Sequence, residues 1–285
     1  MQPENSLTDT EFIALRDLIY KKSGIFFTER NRYLLDARTR EILHQNGSTD
    51  ALSYIKSLSD PRTGALEVNH LINKITITET SFFRDPHQIT VLAKNVIPEL
   101  ATRHEQFGSR LLRIWSAGSS SGEEAYTVAM LLAEHLKERL SDWNIMIFAT
   151  DINEDAVQAC KAGVYKSYTL RNTPREIQEK YFLPTSDETF TVRDEIKRLV
   201  FAEKSSLMDS AARKKYSGMD LILLRNVLIY FTVDAKTAVL QGCYENLRDN
   251  GYLLLGQSET AFGINHSFKL VTFVNTFAYK KVSPK

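Results

Sequence analysis

Cysteine is scarce in this sequence. Cys160 and Cys243 are its only two among 285 residues, and neither belongs to a CxxC pair or stands near a group of histidines. Two isolated cysteines therefore support neither a disulfide framework nor a structural zinc site. We interpret both cysteines as small buried apolar residues. The six histidines are scattered along the chain, and we expect no metal cofactor.

Long apolar runs are missing as well. No stretch approaches the ~20 apolar residues that cross a bilayer, and the polar start MQPENSLTDT lacks the charged and apolar regions of a signal peptide. We therefore expect a cytoplasmic protein without direct membrane insertion. The chain also lacks a charge surplus, since 36 Lys and Arg stand against 35 Asp and Glu, for a net charge of +1. Nucleic acid is therefore not expected as a partner, because phosphate binding needs clustered positive charge.

The first region of the chain carries helical signals and no convincing strand. Thr8 and Glu11 match a capping box, and Gly24 stands where the C-terminal cap of the same helix belongs. A second helix is predicted over about 29–44, and apolar spacing indicates two more before residue 74. Residues 1–74 are therefore predicted to form a small all-helical domain.

Strands and helices alternate in the rest of the chain. Apolar strands are predicted at Leu111–Ala117, Asn144–Asp151, Asp220–Leu224 and Tyr252–Leu255, with amphipathic helices between them. Such alternation is typical of a parallel sheet covered by helices. The pieces TFTVRD and IKRLVFAE predict a small antiparallel insert at about 164–200, and the end FKLVTFVNTFAYKK predicts a closing hairpin.

The ends of the first two strands point to a nucleoside ligand. In an open α/β sheet, ligands bind outside the carboxyl ends of the strands. The first strand leaves through a loop from Gly118 to Gly122 into a helix that begins with Glu123 and Glu124, and the second strand ends at Asp151. Glycines let the backbone approach a nucleotide closely, and an acid at a strand end can accept hydrogen bonds from both ribose hydroxyls. The favoured ligand is an adenosine.

The same loop lacks two common phosphate-binding patterns. It contains neither GxxxxGK[ST] nor GxGxxG, and Glu123 and Glu124 would repel a pyrophosphate at the helix N-terminus. A nucleoside without phosphate fits better. The alternative is a tight structural turn with two glutamates that complement the helix dipole. Asn226 and Tyr230 similarly fit either an active-site wall or, for Tyr230, core packing with its hydroxyl at the surface.

Four segments together resemble one family, the CheR-type chemotaxis receptor glutamate methyltransferases, which use S-adenosylmethionine (SAM). They are Thr78-Glu-Thr-Ser-Phe-Phe-Arg84, Trp115-Ser-Ala-Gly-Ser-Ser-Ser-Gly-Glu-Glu-Ala-Tyr126, Ala149-Thr-Asp-Ile-Asn153 and Arg225-Asn-Val-Leu-Ile-Tyr-Phe231. The resemblance extends over nearly the whole chain. It implies a Rossmann-like class I SAM-dependent methyltransferase sheet with a small antiparallel β insert, preceded by an all-helical domain.

The resemblance also implies domain limits and residue roles. The limits are 1–74 for the helical domain, 75–85 for a linker that contributes to the cofactor site, and 86–285 for the methyltransferase domain with its insert at about 164–200. Arg84 and Tyr230 are implied as catalytic residues. The implied contacts to SAM, or to its product S-adenosylhomocysteine (SAH), are Thr78, Thr80, Arg84, Gly118, Glu123, Glu124, Asp151, Ser205, Ser206, Asn226 and Val227.

The implied reaction needs no general base. A glutamate side chain has a pKa of ~4.3 and is already an anionic nucleophile at pH 7. The work of the enzyme is to align the reactants and exclude water. Arg84 is expected to hold a carboxylate and Tyr230 to orient the incoming one. The implied partners are the cytoplasmic helices of methyl-accepting chemotaxis receptors, and we expect a monomeric enzyme.

Two other functions stay open. A methyltransferase for another substrate, a nucleic acid or a small molecule, would share this fold, although Asn226-Val-Leu-Ile229 differs from the Asn/Asp-Pro-Pro-Tyr/Phe run of amino-directed DNA methylases. A non-catalytic SAM-binding signalling module is the second. The presence of Arg84, Asp151 and Tyr230 favours an enzyme over such a module.

Two features concern docking of the receptor. Four arginines of the second helix are predicted to attract glutamate-rich receptor helices: Arg30, Arg32, Arg38 and Arg40. The alternative is an ordinary solvated helix face. The segment 183–191 contains no glycine and looks shorter than in family members that bind a C-terminal receptor pentapeptide as an added strand. We therefore predict that no such tether is needed.

Overall fold

The computed structural model describes residues 7–186, 188–263 and 268–282. Its first part is helical, and the segment Met1–Ser6 of the predicted helical domain lies outside the described residues. The helices are α1 (Asp9–Ser23), α2 (Arg32–Gln45), α3 (Ala51–Ser57) and α4 (Gly64–Ile75). The predicted second helix begins as a 3-10 turn at Glu29–Asn31 before α2.

The predicted caps of α1 are confirmed. The Thr8 hydroxyl accepts a hydrogen bond from the Glu11 amide at 3.3 Å, and the Glu11 carboxylate accepts one from the Thr8 amide at 2.7 Å. Gly24 follows in the left-handed conformation, with φ 77°. Phe12 and Leu15 point inward from α1 and are fully buried against the other three helices. This helical region therefore has a core of its own.

The rest of the described chain contains two sheets and the helices around them. The strands in chain order are β1 (Leu111–Ala117), β2 (Asn144–Asp151), β3 (Val164–Lys166), β4 (Phe182–Ser186), β5 (Thr189–Val192), β6 (Val200–Lys204), β7 (Met219–Leu224), β8 (Leu247–Leu255), β9 (Phe268–Phe273) and β10 (Thr276–Lys281). The larger sheet has the order β6-β2-β1-β7-β8-β10-β9. Its first five strands are parallel, and β9 and β10 form the predicted antiparallel hairpin. The predicted fold class is confirmed.

One strand assignment was wrong. The piece IKRLVFAE was predicted to belong to the antiparallel insert, but Val200–Lys204 is the edge strand β6 of the main sheet. It pairs in parallel with β2, from Ile147 opposite Val200 to Asp151 opposite Lys204. The insert proper has the order β3-β5-β4. Apolar alternation identifies a strand but not its partner, and here the free edge of β2 takes it.

Helices cover both faces of the main sheet. The helices of this part of the chain are α5 (Pro86–Val91), α6 (Ile97–Gln106), α7 (Glu123–Leu136), α8 (Glu154–Ala162), α9 (Arg175–Tyr181), α10 (Asp194–Lys197), α11 (Ser210–Arg213) and α12 (Val233–Asn246), with a π turn at Leu92–Val96 between α5 and α6. Of these, α9 packs against strand β4 of the insert. Successive residues of β1 serve opposite cores, since Ile114 packs on the α7 side and Trp115 on the α12 side. No helix in the described ranges is long and apolar enough to cross a membrane.

The helical region lies over the carboxyl edge of the sheet. Ile25 forms an isolated antiparallel bridge with Phe231, and the Phe26 amide donates to the Tyr230 carbonyl at 3.0 Å. The Tyr20 and Thr232 hydroxyls lie 2.9 Å apart. The segment that follows α1 is thereby attached to the segment that follows β7. Between the helical region and the strand ends a cavity remains.

Candidate functional site

The cavity lies at the carboxyl ends of β1, β2 and β7, where an open α/β sheet binds its ligands. Most of the site residues predicted from the sequence line it together: Thr78, Thr80, Arg84, Gly118, Glu124, Asp151, Ser205, Asn226, Val227 and Tyr230. Phe26 and Phe27 of the helical region contribute a further wall. The chain segments that resemble the family motifs therefore meet in one place.

Gly118 allows the loop after β1 to pass close to the chain after β7. Its φ is 78°, a conformation that favours glycine. A Cβ at this position would lie 2.5 Å from Cγ2 of Val227, which is closer than two carbons can approach. The amides of Gly118 and Ser119 both donate to the Thr150 carbonyl, at 2.8 and 2.9 Å. The loop is thus fixed against β2, with its backbone forming part of the cavity.

Asp151 ends β2 at the cavity. Its carboxylate accepts the Ser120 amide at 2.8 Å and the Asn153 amide at 2.9 Å. Burial raises the pKa of Asp151, and the backbone hydrogen bonds oppose that shift. Each carboxylate oxygen has more than one lone pair, so Asp151 retains the capacity to accept hydroxyl donors from the cavity.

The two glutamates at the start of α7 have different environments. Glu123 is 2% exposed, accepts the Ser121 hydroxyl at 2.7 Å and does not line the cavity. Burial raises its pKa. Glu124 lines the cavity, but one of its oxygens accepts the Ser116 hydroxyl at 2.6 Å and the other accepts Arg225 at 3.0 Å. Of the two, only Glu124 reaches the site.

Arg84 and Tyr230 both line the cavity. The Arg84 side chain is exposed and donates to the Glu79 carbonyl at 3.2 Å. Tyr230 is half-buried, its ring packs against the core on the α12 side, and burial raises its pKa while the nearby Arg84 lowers it. The Tyr230 ring therefore has both of the roles that the sequence left open: it packs against the core and it forms part of the cavity wall.

The two serines after β6 also differ. Ser205 lines the cavity, and its amide donates to the Asp151 carbonyl at 2.9 Å. Ser206 does not line it, because its hydroxyl lies 3.4 Å from the Lys22 carbonyl of the helical region. The family resemblance implied both as SAM contacts, and the structure brings only Ser205 to the cavity.

Glu259 holds two lining residues of the cavity in place, and the sequence reasoning missed it. It is 5% exposed, and its carboxylate accepts the amides of Asn226 and Val227 at 2.8 Å and that of Gly256 at 2.7 Å. These bonds hold Asn226 at φ 61°. The available signal was the one that identified Asp151, an acid shortly after the end of a strand, here β8.

The four arginines do not form one face. Arg32 donates to Asp9 at 2.7 Å and to the Leu7 carbonyl at 2.6 Å, so it joins α2 to α1. Arg40 donates to the Asp36 carbonyl at 3.3 Å. Arg30 is exposed in the 3-10 turn, and Arg38 lines the cavity while pairing with Glu41 at 3.1 Å. Arg38 is thus the member of the set that reaches the site.

No group of three or more His, Cys, Asp or Glu side chains in the described part of the chain is placed to hold a metal ion. The cavity also offers no lysine among its lining residues for a triphosphate. The Asp151 carboxylate beside a glycine turn fits a ribose, and Arg38, Arg84 and Arg225 line the same cavity as cationic donors.

Two family models match the chain. The SAM binding domain of the CheR methyltransferases matches residues 78–277, and their all-alpha domain matches residues 10–76. Chemotaxis protein methyltransferase 2 of Vibrio cholerae is 33% identical over 275 residues, which is 96% of this chain and 94% of that protein. The chemotaxis protein methyltransferase of Borreliella burgdorferi is 32% identical over 278 residues, 97% of this chain and 95% of that protein. The finer domain limits drawn from the sequence, at residues 74 and 85, stay predictions.

Proposed function

This chain belongs to the CheR methyltransferase family, and from that premise we propose that it transfers the methyl group of SAM to glutamate side chains of chemotaxis receptors. The products are a glutamate methyl ester and SAH. The observation that carries this proposal is the meeting of Asp151, Gly118, Arg84 and Tyr230 around one cavity at the carboxyl edge of the sheet. We further propose that the enzyme acts as a cytoplasmic monomer on the cytoplasmic part of its receptors.

Asp151 is proposed to bind the ribose. Its two backbone hydrogen bonds orient the carboxylate and leave acceptor capacity toward the cavity. Gly118 would allow the nucleoside to lie against bare backbone, and Ser205, next to Asp151 through its amide, would lie near the adenine. Asn226 and Val227, fixed by Glu259, are proposed as further contacts. Thr78, Thr80 and Arg84 are assigned to the methionine end.

The chain's own residues have a limited chemical task. Bound SAM supplies an electrophilic methyl group on a sulfonium. The substrate carboxylate is already ionised at neutral pH, so no side chain has to remove a proton. Arg84 is proposed to hold a carboxylate by a charge-assisted hydrogen bond, and the Tyr230 hydroxyl to orient the incoming glutamate. Phe26 and Phe27 are proposed to exclude water, which strengthens both interactions.

The direct experiment is methyl transfer from labelled SAM to receptor-containing membranes. We expect base-labile label on receptor glutamates, and we expect a Tyr230→Phe variant to retain SAH affinity while losing most transfer, because the Tyr230 hydroxyl is assigned to the substrate and not to the cofactor. Nucleic acid and free small carboxylic acids serve as alternative acceptors in the same assay. Label on those acceptors alone would favour a different substrate, and SAH binding without any transfer would favour the non-catalytic signalling module.

Receptor docking is proposed to use Arg38. It is half-exposed, lies at the cavity and carries the charge that a glutamate-rich helix would meet first. Arg38→Glu should slow methylation without changing SAH affinity, and the slowing should shrink at high salt. Arg32→Gln is the matched control, because Arg32 pairs with Asp9 instead of facing the cavity. An unchanged rate in Arg38→Glu would favour the solvated-face alternative.

The insert is proposed to need no receptor pentapeptide. The β4–β5 connection is short, with Ser186 and Thr189 already in register, and it contains no glycine; Asp187 lies outside the described residues. Titration of a free C-terminal pentapeptide of the tethering type tests this proposal. We expect no binding at the insert, and micromolar affinity there would overturn the proposal.

A further inference from the structure

We infer that Arg225 is a positioning residue for Arg84, and this inference rests on the proposed function. The Arg225 side chain is 5% exposed. Its Nε donates to the Gln88 side-chain oxygen at 2.5 Å, its Nη1 to Glu124 at 3.0 Å and its Nη2 to the Arg84 carbonyl at 3.0 Å. One guanidinium therefore joins the end of β7 to α5, to α7 and to the backbone of the turn that carries Arg84.

That turn has an unusual backbone on both sides of Arg84. Phe83 has φ 52° and Asp85 has φ 69°, values that are uncommon for residues with a side chain. Such conformations persist only where the surroundings hold them. The Phe83 amide donates to the Thr127 hydroxyl at 3.1 Å, and Asp85 caps α5 by accepting the Gln88 amide at 3.4 Å. Arg225 holds the carbonyl that lies between these two attachments.

The Arg84 side chain, in contrast, is exposed and donates to the Glu79 carbonyl. Its place in the cavity is therefore set mainly by its backbone, and the backbone is held by Arg225. Arg84 and Arg225 are both cations, so the link between them cannot be a direct side-chain attraction. It runs through the Arg84 carbonyl.

The partners of Arg225 are themselves fixed. Gln88 is 3% exposed and donates from its amide nitrogen to the Leu255 carbonyl at 2.7 Å. Glu124 accepts the Ser116 hydroxyl, and Asp85 lies 4.0 Å from Arg225. Two carboxylates thus compensate one buried guanidinium. The planar fork of arginine reaches three separate acceptors at once, whereas a lysine ammonium would keep the charge and lose that geometry.

A double-mutant cycle of Arg225→Lys and Arg84→Ala tests the inference. With Arg84 present, Arg225→Lys should lower kcat by roughly 10- to 100-fold, because a small misplacement of a catalytic group has effects of that size. In the Arg84→Ala background the same change should lower kcat by no more than about twofold. Hydrogen exchange of the backbone amides of residues 82–85 should become faster in Arg225→Lys.

Two variants make the cycle decisive. Arg103→Lys changes a mostly buried arginine at the opposite edge of the sheet, which donates to the Asn250 carbonyl at 2.6 Å, and it should alter neither kcat nor exchange at 82–85. Gln88→Leu removes one partner of Arg225, and it should lower kcat by a smaller factor that again depends on the presence of Arg84. This variant replaces Arg225→Lys in the cycle if Arg225→Lys does not fold.

Equal losses of kcat in both backgrounds would overturn the inference, and so would unchanged exchange at residues 82–85. If the unmodified protein transfers no methyl group to receptors, the proposed function fails. The exchange measurement still decides whether Arg225 holds the turn, so the two failures are distinguishable.

Discussion

Two buried charge networks lie at opposite ends of the strands of the main sheet. The cavity network consists of Arg225, Glu124, Gln88 and Asp85 at the carboxyl edge, and the basal network consists of Asp220, His104, Arg103 and Arg248 near the amino end of β7. In the basal network Asp220 is fully buried, accepts His104 at 2.8 Å and the Arg113 amide at 3.0 Å, and lies 3.5 Å from Arg103.

Both networks are made of buried ion pairs and hydrogen bonds, but they hold different kinds of backbone. The basal network joins regular elements, α6, β1, β7 and β8, and its members do not line the cavity. The cavity network holds a turn with two positive φ values and borders the cavity. A satisfied buried network between regular elements contributes stability, whereas one that holds a strained turn also sets the position of a side chain.

The largest expected effect is on stability, from Asp220→Ala. This change leaves His104, Arg103 and the Arg113 amide without their buried acceptor, so the free energy of unfolding should fall by about 3–5 kcal/mol. SAH affinity, measured by calorimetry at a temperature where the variant is folded, should stay the same. A folded Asp220→Ala variant with weakened SAH binding would show that the two edges are not independent.

Asp151→Asn, in contrast, should lower SAH affinity. Each charged hydrogen bond to a ribose hydroxyl contributes about 1.5–3 kcal/mol, so SAH affinity should fall by one to two orders of magnitude. The free energy of unfolding should fall by about 1–3 kcal/mol, because an asparagine keeps one acceptor oxygen and can accept only one of the two backbone amides that the carboxylate accepts. Calorimetry and urea unfolding measure the two quantities. Unchanged affinity in the folded variant would remove the ribose role.

Comparing Gly118→Ala with Gly47→Ala shows how the cost of an added Cβ at the cavity differs from its cost in an exposed turn. Both glycines have positive φ, 78° and 65°. A Cβ at Gly47 would meet nothing within 4 Å, whereas one at Gly118 would meet Val227. Gly47→Ala should cost about 1–2 kcal/mol of stability from backbone strain alone. Gly118→Ala should cost about 1–3 kcal/mol more, and it alone should weaken SAH binding. Equal unfolding midpoints would contradict the close approach.

The smallest expected effect is a pH dependence of cofactor binding. Only ionised Asp151 accepts both ribose hydroxyls, so SAH affinity should be lost as the pH falls through its folded-state pKa, by about 1.4 kcal/mol per pH unit at most. Because that pKa is raised, the loss should begin above the ordinary value of ~3.9.

The free energy of unfolding of the cofactor-free protein should also depend on the protonation of Asp151, but in the opposite direction with pH. A raised pKa in the folded state means that the contribution of Asp151 to stability is present at low pH and is lost as the pH rises through that pKa. Asp151→Asn should remove both dependences. Calorimetry between pH 4 and pH 8 would contradict the assignment if affinity in the unmodified protein were constant.

Local patterns in the sequence determined a large part of the fold. The limits of β1 and β2, the caps of α1, the glycine loop and the acid at the end of β2 all follow from alternation, turn chemistry and capping. These signals depend on residues within a few positions of one another. The parallel direction of the strands follows from the alternation of strands and helices along the chain. The sequence also predicted where the candidate site lies, because an open α/β sheet binds its ligands where the carboxyl ends of its strands meet.

Only the tertiary structure decided which neighbours these residues have. Sequence spacing could not assign β6 to β2, choose Glu124 over Glu123 for the cavity, or separate Arg38 from Arg32. It gave no role to Arg225 or Glu259, which both have hydrogen-bond partners more than 30 positions away along the chain. Hydrophobic period tells which face of an element is buried, but the hydrogen bonds of a buried polar group depend on the elements that pack against it.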